Sequence, residues 1–288
     1  MRKEFCSEVS RDAGEPLAAT ASRVDHWILF EYRGLWSHDA LAGSGLSDEV
    51  KGHLRARCAE LPHSKLLFIR RTERRDQERS HVYVARTKER DAWIRRVEIG
   101  RYEEVLEHAL DGSGGEPVDH PLLLVCTHGK HDRCCARYGR PLYDALRDQV
   151  DPEWVWQCTH IGGDRFAGNL VALPQGAYYG RVGREDVWPL VDAYLGGRVR
   201  VENYRGRSCY TFVVQAAERH VREQTGLLGF DEVEFASVQR AGEGRWTVTL
   251  RAAGRLHAVE VEVLQGPLTY LTCKSVTLRH PRNYVALS

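Results

Sequence analysis

Two short stretches of the sequence carry the residue types best suited to chemistry, and they share a pattern. The first is CTHGKHDRCCA, residues 126–136, and the second is CTHIGGDRFA, residues 158–167. Each begins with Cys-Thr-His and places an aspartate six positions after the cysteine. Four of the eight cysteines lie in this span, at positions 126, 134, 135 and 158. We expect two neighbouring turns that bring thiols and imidazoles together.

These side chains are typical metal ligands. Thiolates and imidazoles bind zinc, copper and iron-sulfur clusters. Cys126 and Cys135 are separated by eight residues, a spacing too long for the CxxC of a zinc knuckle but suited to a loop around a larger group. His160 and Asp164 come from the second stretch, whose two consecutive glycines let the backbone approach a ligand closely. Because mixed cysteine and histidine ligation of two irons has a precedent in Rieske centres, the pattern predicts a cluster rather than a single ion.

Three motifs resemble those of the sucrase/ferredoxin-like family. They are C-x-H-G-x-x-D-x-x-C at 126–135, H-x-G-G-x-[RK]-[FY]-A-G-N at 160–169 and N-Y-R-G-R at 203–207. The stretches GEPLAATA and WILFEYRGLW near the N-terminus are also similar to that family. The resemblance implies a thioredoxin-like fold that holds a 2Fe-2S cluster through two cysteines and two histidines four residues apart. On this chain it assigns Cys126, Cys135 and His160, and the position of the second histidine is Asp164.

Asp164 departs from the family pattern and leaves the fourth ligand open. Its carboxylate is harder than imidazole and anionic, so as a ligand it is expected to lower the reduction potential. We predict Asp164 as the fourth ligand and Cys158, a softer donor two residues before His160, as the second candidate. Further candidates lie nearby: Cys134, His128 and His131.

Other residues of the motifs are expected to shape the two loops or to hydrogen-bond to the ligands. They are His128, Gly129, Asp132, Cys134, Gly162, Gly163 and Arg165. Outside the motifs, Cys6, Cys58 and Cys209 are expected to be small buried hydrophobic residues. No role for Cys273 follows from the sequence.

Composition limits the class of protein and of partner. The 288 residues are 42% hydrophobic and 28% charged, as in an ordinary globular protein. The formal net charge of +1 indicates neither a nucleic acid nor a membrane as partner. The N-terminal stretch lacks the apolar core of a signal peptide, and no apolar run is long enough to cross a bilayer. We therefore expect a cytoplasmic protein, in which reducing conditions favour metal ligation over disulfides.

Periodicity divides the chain into three predicted domains: 1–118, 119–206 and 207–288. The first has a strand, a helix that begins after the N-cap Ser47, and two further strands. The second alternates strands with helices, and Cys126 and Cys158 end two of its strands. The third is a long helix followed by an antiparallel meander. The predicted fold class is α/β, or α+β overall, with a thioredoxin-like ferredoxin core between an N-terminal α+β region and a C-terminal helix plus β-meander.

The leading functional prediction is a 2Fe-2S electron-transfer protein or oxidoreductase component. A separate redox partner protein is expected, because no G-x-G-x-x-G dinucleotide fingerprint follows a strand. The charged run at 70–79 is expected to be a solvated hairpin, where an acidic redox partner could dock. Two alternatives stay open: a zinc-stabilised interaction module with the same ligands, and a thiol oxidoreductase that uses Cys134 with Cys135, or Cys126. Neither a G-x-S-x-G motif nor an assignable carboxylate pair supports a glycoside hydrolase.

Overall fold

The computed structural model describes residues 4–72 and 78–287, so part of the predicted hairpin at 70–79 lies outside the described residues. The helices are α1 (Cys6–Asp12), α2 (Asp48–Glu60), α3 (Arg133–Arg147), α4 (Val187–Leu195) and α5 (Phe212–Thr225). The strands are β1 (His26–Glu31), β2 (Ser64–Arg70), β3 (Ser80–Lys88), β4 (Asp91–Ile99), β5 (Glu116–Pro117), β6 (Leu122–Cys126), β7 (Val155–Cys158), β8 (Leu170–Leu173), β9 (Ala177–Tyr179), β10 (Tyr204–Arg207), β11 (Val233–Gly242), β12 (Arg245–Ala252), β13 (Arg255–Gln265) and β14 (Arg282–Leu287). None of the helices within this described part of the chain is both long and apolar enough to cross a membrane.

The C-terminal half of the main sheet has the strand order of a thioredoxin-like domain. Its strands run in the order β10-β9-β8-β6-β7, and the last four form the thioredoxin-like unit. β6 and β7 are parallel, and β8 is antiparallel to both of its neighbours. The connection from β6 to β7 contains α3, and α4 follows β9. This arrangement agrees with the predicted core.

The N-terminal half repeats the same arrangement. Its strands run in the order β2-β1-β3-β4-β5, and the first four form the like unit. β1 is parallel to β2 and connected to it through α2, and β3 is antiparallel to β1 and β4. The two halves join where β2 and β7 pair antiparallel, with Ile69 opposite Cys158. One ten-stranded sheet therefore contains two units of like topology, joined through their second strands. The domain boundaries at 118 and 206 stay a prediction. Strands of the ten-stranded sheet lie on both sides of residue 118.

The ten-stranded sheet curls around an inner core. The rings of Trp27 on β1 and Tyr178 on β9 lie 6.2 Å apart. Five strand spacings separate β1 from β9, and in a flat sheet they would span about 24 Å. The inner face thus closes on itself, with fully buried residues of both halves in one cluster, among them Leu29, Ile69 and Trp156. Helices cover the other face, α2 over one half, and α3 and α4 over the other.

The C-terminal region is a helix packed on a second sheet, as predicted. β11 to β14 form an antiparallel sheet, and α5 packs on it through Val213, Ala217 and Val221. α5 ends at Gly226, whose φ of 72° is the left-handed conformation that glycine adopts readily. Several elements were not predicted from the sequence, among them α1, β4 and β14. β14 is an edge strand and β4 lies next to one, and at such positions a weaker hydrophobic alternation is tolerated.

Candidate metal centre

The repeated Cys-Thr-His stretches end two adjacent parallel strands. β6 and β7 pair so that Cys126 lies opposite Cys158. The backbone N–H of Thr127 donates to the carbonyl of Cys158 at 3.2 Å, and that of Thr159 donates to the carbonyl of Phe68 at 2.9 Å. The two loops therefore leave the same edge of the sheet, where the carboxyl ends of parallel strands commonly form sites.

Helix α3 brings the second thiol to this edge. Asp132 is its N-cap, and Asp132 Oδ1 accepts a hydrogen bond from the Cys134 N–H at 2.8 Å. The first turn of α3 then places Cys135 beside Cys126. One ligand atom each from Cys126, Cys135 and His160 lies within 4.8 Å of the others. Both thiols are 1% exposed.

Asp164 contacts two of these three residues. Its Oδ1 lies 2.9 Å from His160 Nδ1 and accepts a hydrogen bond from the Cys135 thiol at 3.3 Å. Asp164 is 3% exposed. It follows Gly162 and Gly163, whose φ values of 103° and 81° require glycine and turn the chain back toward the thiols. The structure thus brings together all four predicted ligands.

Opposite charges are favoured on His160 and Asp164. Burial opposes the charged imidazole, but contacts with Asp164 and Cys126 outweigh it and raise the pKa of His160 to about 9. Burial likewise opposes the charged carboxylate, but contacts with His160 and Cys135 lower the pKa of Asp164. Hydrogen bonding to Cys135, and then to His160, lowers the pKa of the Cys126 thiol despite its burial. The contact with Cys126, together with burial, raises the pKa of the Cys135 thiol well above its usual value. This electrostatic setting therefore favours one thiolate, on Cys126, beside the Asp164 carboxylate.

His131 is a further imidazole at the edge of the same group. Its ring stacks on that of His160 with 3.9 Å between the centroids, and its Nε2 lies 4.0 Å from Asp164 Oδ2. His131, His160 and Asp164 also place ligand atoms within 4.8 Å of one another. Burial lowers the pKa of His131, which favours the neutral ring that can bind a metal. His131 therefore has a better position than the sequence alone indicated.

Cys158 and His128 lie apart from the converging ligand atoms. Cys158 is fully buried in the inner core, and burial raises the pKa of its thiol well above the usual value. It belongs to none of the groups of converging ligands found among residues 4–72 and 78–287. His128 Nε2 lies 2.6 Å from the carbonyl of Ser37, so this ring supports the loop. Location therefore favours Asp164 and His131 over Cys158 as the fourth donor.

Buried Arg205 holds the second loop in place. It donates hydrogen bonds to the carbonyls of Gly162 at 3.0 Å and Thr20 at 2.6 Å, and to Asn169 Oδ1 at 2.8 Å. Asn169 Nδ2 in turn donates to the carbonyl of Gly163 at 2.8 Å. A Cβ on Gly163 would lie 2.4 Å from Arg205 Nη2. The motif at 203–207 and the N-terminal stretch around Thr20 thus form one framework with the second loop.

The remaining motif residues also act on loop geometry. Arg165 Nε donates to both carboxylate oxygens of Glu15, at 2.7 and 3.0 Å. The Gly129 N–H donates to the carbonyl of Thr127 at 2.8 Å, and a Cβ on Gly129 would lie 2.8 Å from that of Ala136. These contacts place the second loop against the segment that follows α1 and the first loop against α3.

Cys134 belongs to a separate thiol group. Its Sγ lies 3.5 Å from that of Cys6 and 3.2 Å from that of Cys273. Consecutive helix residues point about 100° apart, so Cys134 and Cys135 are directed into different surroundings. This placement differs from the expectations that Cys134 supports the cluster loop and that Cys6 is an ordinary buried hydrophobic residue. It also separates Cys134 from Cys135, the vicinal pair that one form of the thiol oxidoreductase alternative uses. Because the three cysteines lie far apart in sequence, their spacing contains no signal that could have revealed the group.

Curated relatives share part of the sequence. Altered inheritance of mitochondria protein 32 from Meyerozyma guilliermondii is 32% identical over 120 residues, which cover 38% of this chain and 42% of that protein. The protein of the same name from Eremothecium gossypii is 38% identical over 88 residues, which cover 30% of this chain and 26% of that protein. The chain thus spans less than half the length of the curated relatives it matches.

Among solved structures, the chain is similar to the thioredoxin-like [2Fe-2S] ferredoxin of Aquifex aeolicus. That alignment has a TM-score of 0.26 and 24% identity, and it covers 30% of this chain and 90% of the ferredoxin. A cysteine-to-serine variant of the ferredoxin aligns with a TM-score of 0.28 and 22% identity, covering 31% of this chain and 100% of that one.

Most of the elements described above lie in residues that match a known protein family. The model of the family described as sucrase/ferredoxin-like matches residues 17–206. This range includes both halves of the ten-stranded sheet, the four predicted ligands and the framework around Arg205. The chain therefore belongs to the sucrase/ferredoxin-like family.

Proposed function

We propose that the chain is a 2Fe-2S electron-transfer protein or redox component whose cluster would be held by Cys126, Cys135, His160 and Asp164. The observation that carries this proposal is the convergence of two buried thiols and an imidazole within 4.8 Å, with a buried carboxylate in contact with two of them. Thiolate and imidazole are the donors that iron-sulfur clusters accept, so Cys126, Cys135 and His160 fit this cofactor. Membership of a family described as ferredoxin-like also supports it.

The residues of the proposed site would have different roles. A cluster of this kind, when bound, supplies reversible one-electron transfer. Cys126 and Cys135 contribute sulfur on the buried side, whereas the His160 side chain is 26% exposed. His160 and His131 line a surface cavity of about 420 Å³. His160 is thus the ligand that a separate redox partner protein would approach most closely, and we propose this cavity as the place of approach.

Zinc is the second candidate for this centre. Two thiols and an imidazole within 4.8 Å of one another, with the Asp164 carboxylate in contact with two of these residues, also suit a single tetrahedral ion. A zinc centre would stabilise the fold without redox chemistry, as in the predicted interaction module. A cytoplasmic location stays a prediction in either case.

The test is anaerobic purification of the full chain, followed by a visible spectrum with iron, sulfide and zinc counts. We expect about two iron and two sulfide per chain, with charge-transfer absorption in the visible range. Cys126→Ser should lose both the colour and the iron. Cys209→Ser is the matched control, because Cys209 is buried outside the groups of converging ligands in the described residues, and it should retain both. A colourless protein that stays free of iron after reconstitution would contradict the proposal, and zinc bound through Cys126 would then support the second candidate.

A further inference from the structure

Three cysteines from distant parts of the chain meet away from the candidate cluster centre. The Sγ atoms of Cys6 and Cys134 are 3.5 Å apart, those of Cys134 and Cys273 are 3.2 Å apart, and those of Cys273 and Cys6 are 3.7 Å apart. Each residue is at most 5% exposed, and each is a free cysteine. We call these three residues the thiol triad. We propose that the thiol triad, with Asp132 as fourth donor, binds one zinc ion at a site separate from the cluster.

The sulfur separations fit one metal ion. Tetrahedral zinc with bonds of about 2.3 Å holds its thiolates about 3.8 Å apart, close to the separations observed. A disulfide needs about 2.05 Å between sulfur atoms, so none of the three pairs is one. The three sulfur atoms are 3.2 to 3.7 Å apart, so all three can bind one ion.

The donor set favours zinc. Three soft sulfurs with a carboxylate suit a tetrahedral ion without redox chemistry, and structural zinc sites are typically closed by four protein ligands. A carboxylate oxygen of Asp132 lies within 4.8 Å of the three sulfur atoms, and all four residues are buried. On binding, the three thiol protons are released to solvent and three zinc-sulfur bonds form, with no change of oxidation state.

Hydrogen bonds already arrange the four donors. Asp132 Oδ1 accepts from the Cys134 N–H at 2.8 Å, and Oδ2 accepts from the Cys273 N–H at 2.6 Å. Each carboxylate oxygen keeps a second lone pair, so Asp132 can hold both backbones and still bind the ion. Ser7 Oγ donates to Cys134 Sγ at 3.1 Å, which favours the thiolate form. Such supporting contacts are typical of built metal sites.

The proposed ion would join three segments that are far apart in sequence. Cys6 begins α1, Cys134 lies in the first turn of α3, and Cys273 lies in the loop between β13 and β14. The separation of Cys6 and Cys273 is 267 residues. A metal that closes long loops removes much conformational entropy from the unfolded chain, so the site would stabilise the fold. It would also steady the turn of α3 that presents Cys135 to the cluster centre.

The experiment measures zinc in the full-length protein and in Cys273→Ser, with Cys209→Ser as the matched control. We expect the wild type and Cys209→Ser to hold one zinc per chain more than Cys273→Ser. In competition with a chromophoric chelator, Cys273→Ser should bind zinc at least about 100-fold more weakly, since even loss of a supporting contact costs 10- to 100-fold. Equal zinc content and affinity in all three proteins would overturn the proposal, as would copper in place of zinc.

A second pair of variants separates the triad from the cluster centre. Cys126→Ser should lose iron and keep the zinc, whereas Cys273→Ser should keep the iron and lose the zinc. Zinc that is lost in Cys126→Ser and kept in Cys273→Ser would occupy the cluster centre, and the triad proposal would fail. Its failure is thus distinguishable from failure of the proposed function.

A cobalt titration keeps the proposal testable if Cys273→Ser does not fold. Metal-free, reduced Cys126→Ser is titrated with Co²⁺, and the sulfur-to-cobalt charge-transfer intensity counts the thiolate ligands. We expect the intensity of three thiolates. The cluster centre of this variant can offer only the sulfur of Cys135, so the intensity of one thiolate would overturn the proposal. A Cys134–Cys273 disulfide, found by mass spectrometry in freshly and anaerobically purified wild-type protein, would also overturn it.

Discussion

Asp164 stands where the family pattern has a second histidine, and its contacts explain how a carboxylate suits this position. It lies 2.9 Å from His160 and accepts a hydrogen bond from Cys135, so it is in direct contact with two of the proposed ligands. A carboxylate adds negative charge that imidazole lacks. Added negative charge disfavours a further electron and therefore lowers the reduction potential.

Replacement of Asp164 by histidine tests this effect. We expect the Asp164→His protein to keep its cluster and to have a reduction potential that is higher by on the order of 100 mV. The reason is that exchange of two anionic thiolates for two histidines raises the potential of a 2Fe-2S cluster by roughly several hundred mV. The measurement is a redox titration followed in the visible spectrum. An unchanged potential would remove Asp164 from the ligand set.

His131→Ala separates the two candidate fourth donors. If Asp164 is the ligand, the loss of the His131 ring removes only its stacking on His160, and the iron content should remain within error of the wild type. Asp164→Ala should lose most of the iron. The reverse result in iron analysis would assign the fourth position to His131.

The loop at 160–169 depends on close contact between its backbone and Arg205. Gly163 has a φ of 81°, and the space that a Cβ would need is occupied by the Arg205 guanidinium. The motif at 203–207 therefore supports the proposed ligands without contributing one. Its role is to hold His160 and Asp164 at the edge of the sheet.

Gly163→Ala should destabilise this loop. We expect a loss of about 1–3 kcal/mol in the free energy of unfolding, from the strained φ and the displaced guanidinium, measured by urea denaturation. Gly114→Ala is the matched control, because nothing lies within 4 Å of its Cβ position and its φ is outside the left-handed range. Equal stability of the two variants would show that the loop relaxes without cost.

Arg205→Ala should have a larger effect. It leaves the carbonyls of Thr20 and Gly162 and the Asn169 side chain without their donor, so we expect a loss of at least about 3 kcal/mol and a lower iron content. Arg198→Ala is the control, since its exposed guanidinium makes a 3.4 Å contact with Asp192. Thermal denaturation and iron analysis of both variants check this prediction, and full iron content in Arg205→Ala would contradict the proposed framework.

The curled sheet joins both halves of the molecule through one core. Ile69 lies in this core at the pairing of β2 with β7, and Tyr83 and Trp156 from opposite halves have their rings 5.7 Å apart. Burial shared between two units makes it unfavourable for one to unfold alone. We therefore expect the two halves to unfold together.

Ile69→Ala tests this coupling. We expect a loss of about 2–5 kcal/mol and a single transition that tryptophan fluorescence and circular dichroism report at the same urea concentration. Leu35→Ala, at a side chain that is 88% exposed, should leave the stability unchanged. Two separate transitions would show that the halves fold independently and would favour a domain boundary near residue 118.

Local sequence patterns were sufficient to predict the long helices and the convergence of the motif residues. The N-cap Ser47 accepts a hydrogen bond from the Val50 N–H as predicted, and the apolar face of α5 packs as its periodicity indicates. Cys126 and Cys135 stand at the two ends of one short loop, and His160 and Asp164 follow the end of a second strand, so two strand ends were enough to predict that these residues converge. These features depend on residues a few positions apart, where chain geometry sets the contacts.

The remaining features depend on how distant segments pack. The residue pattern predicts neither the repeated strand order of the two halves nor the pairing of β2 with β7, because many sequences satisfy the same topology. Cys6, Cys134 and Cys273 carry no recognisable spacing, and they meet only after α1 and the loop between β13 and β14 dock on α3. Contacts across 267 residues are set by the packing of the whole chain, and for that reason the thiol triad is visible only in three dimensions.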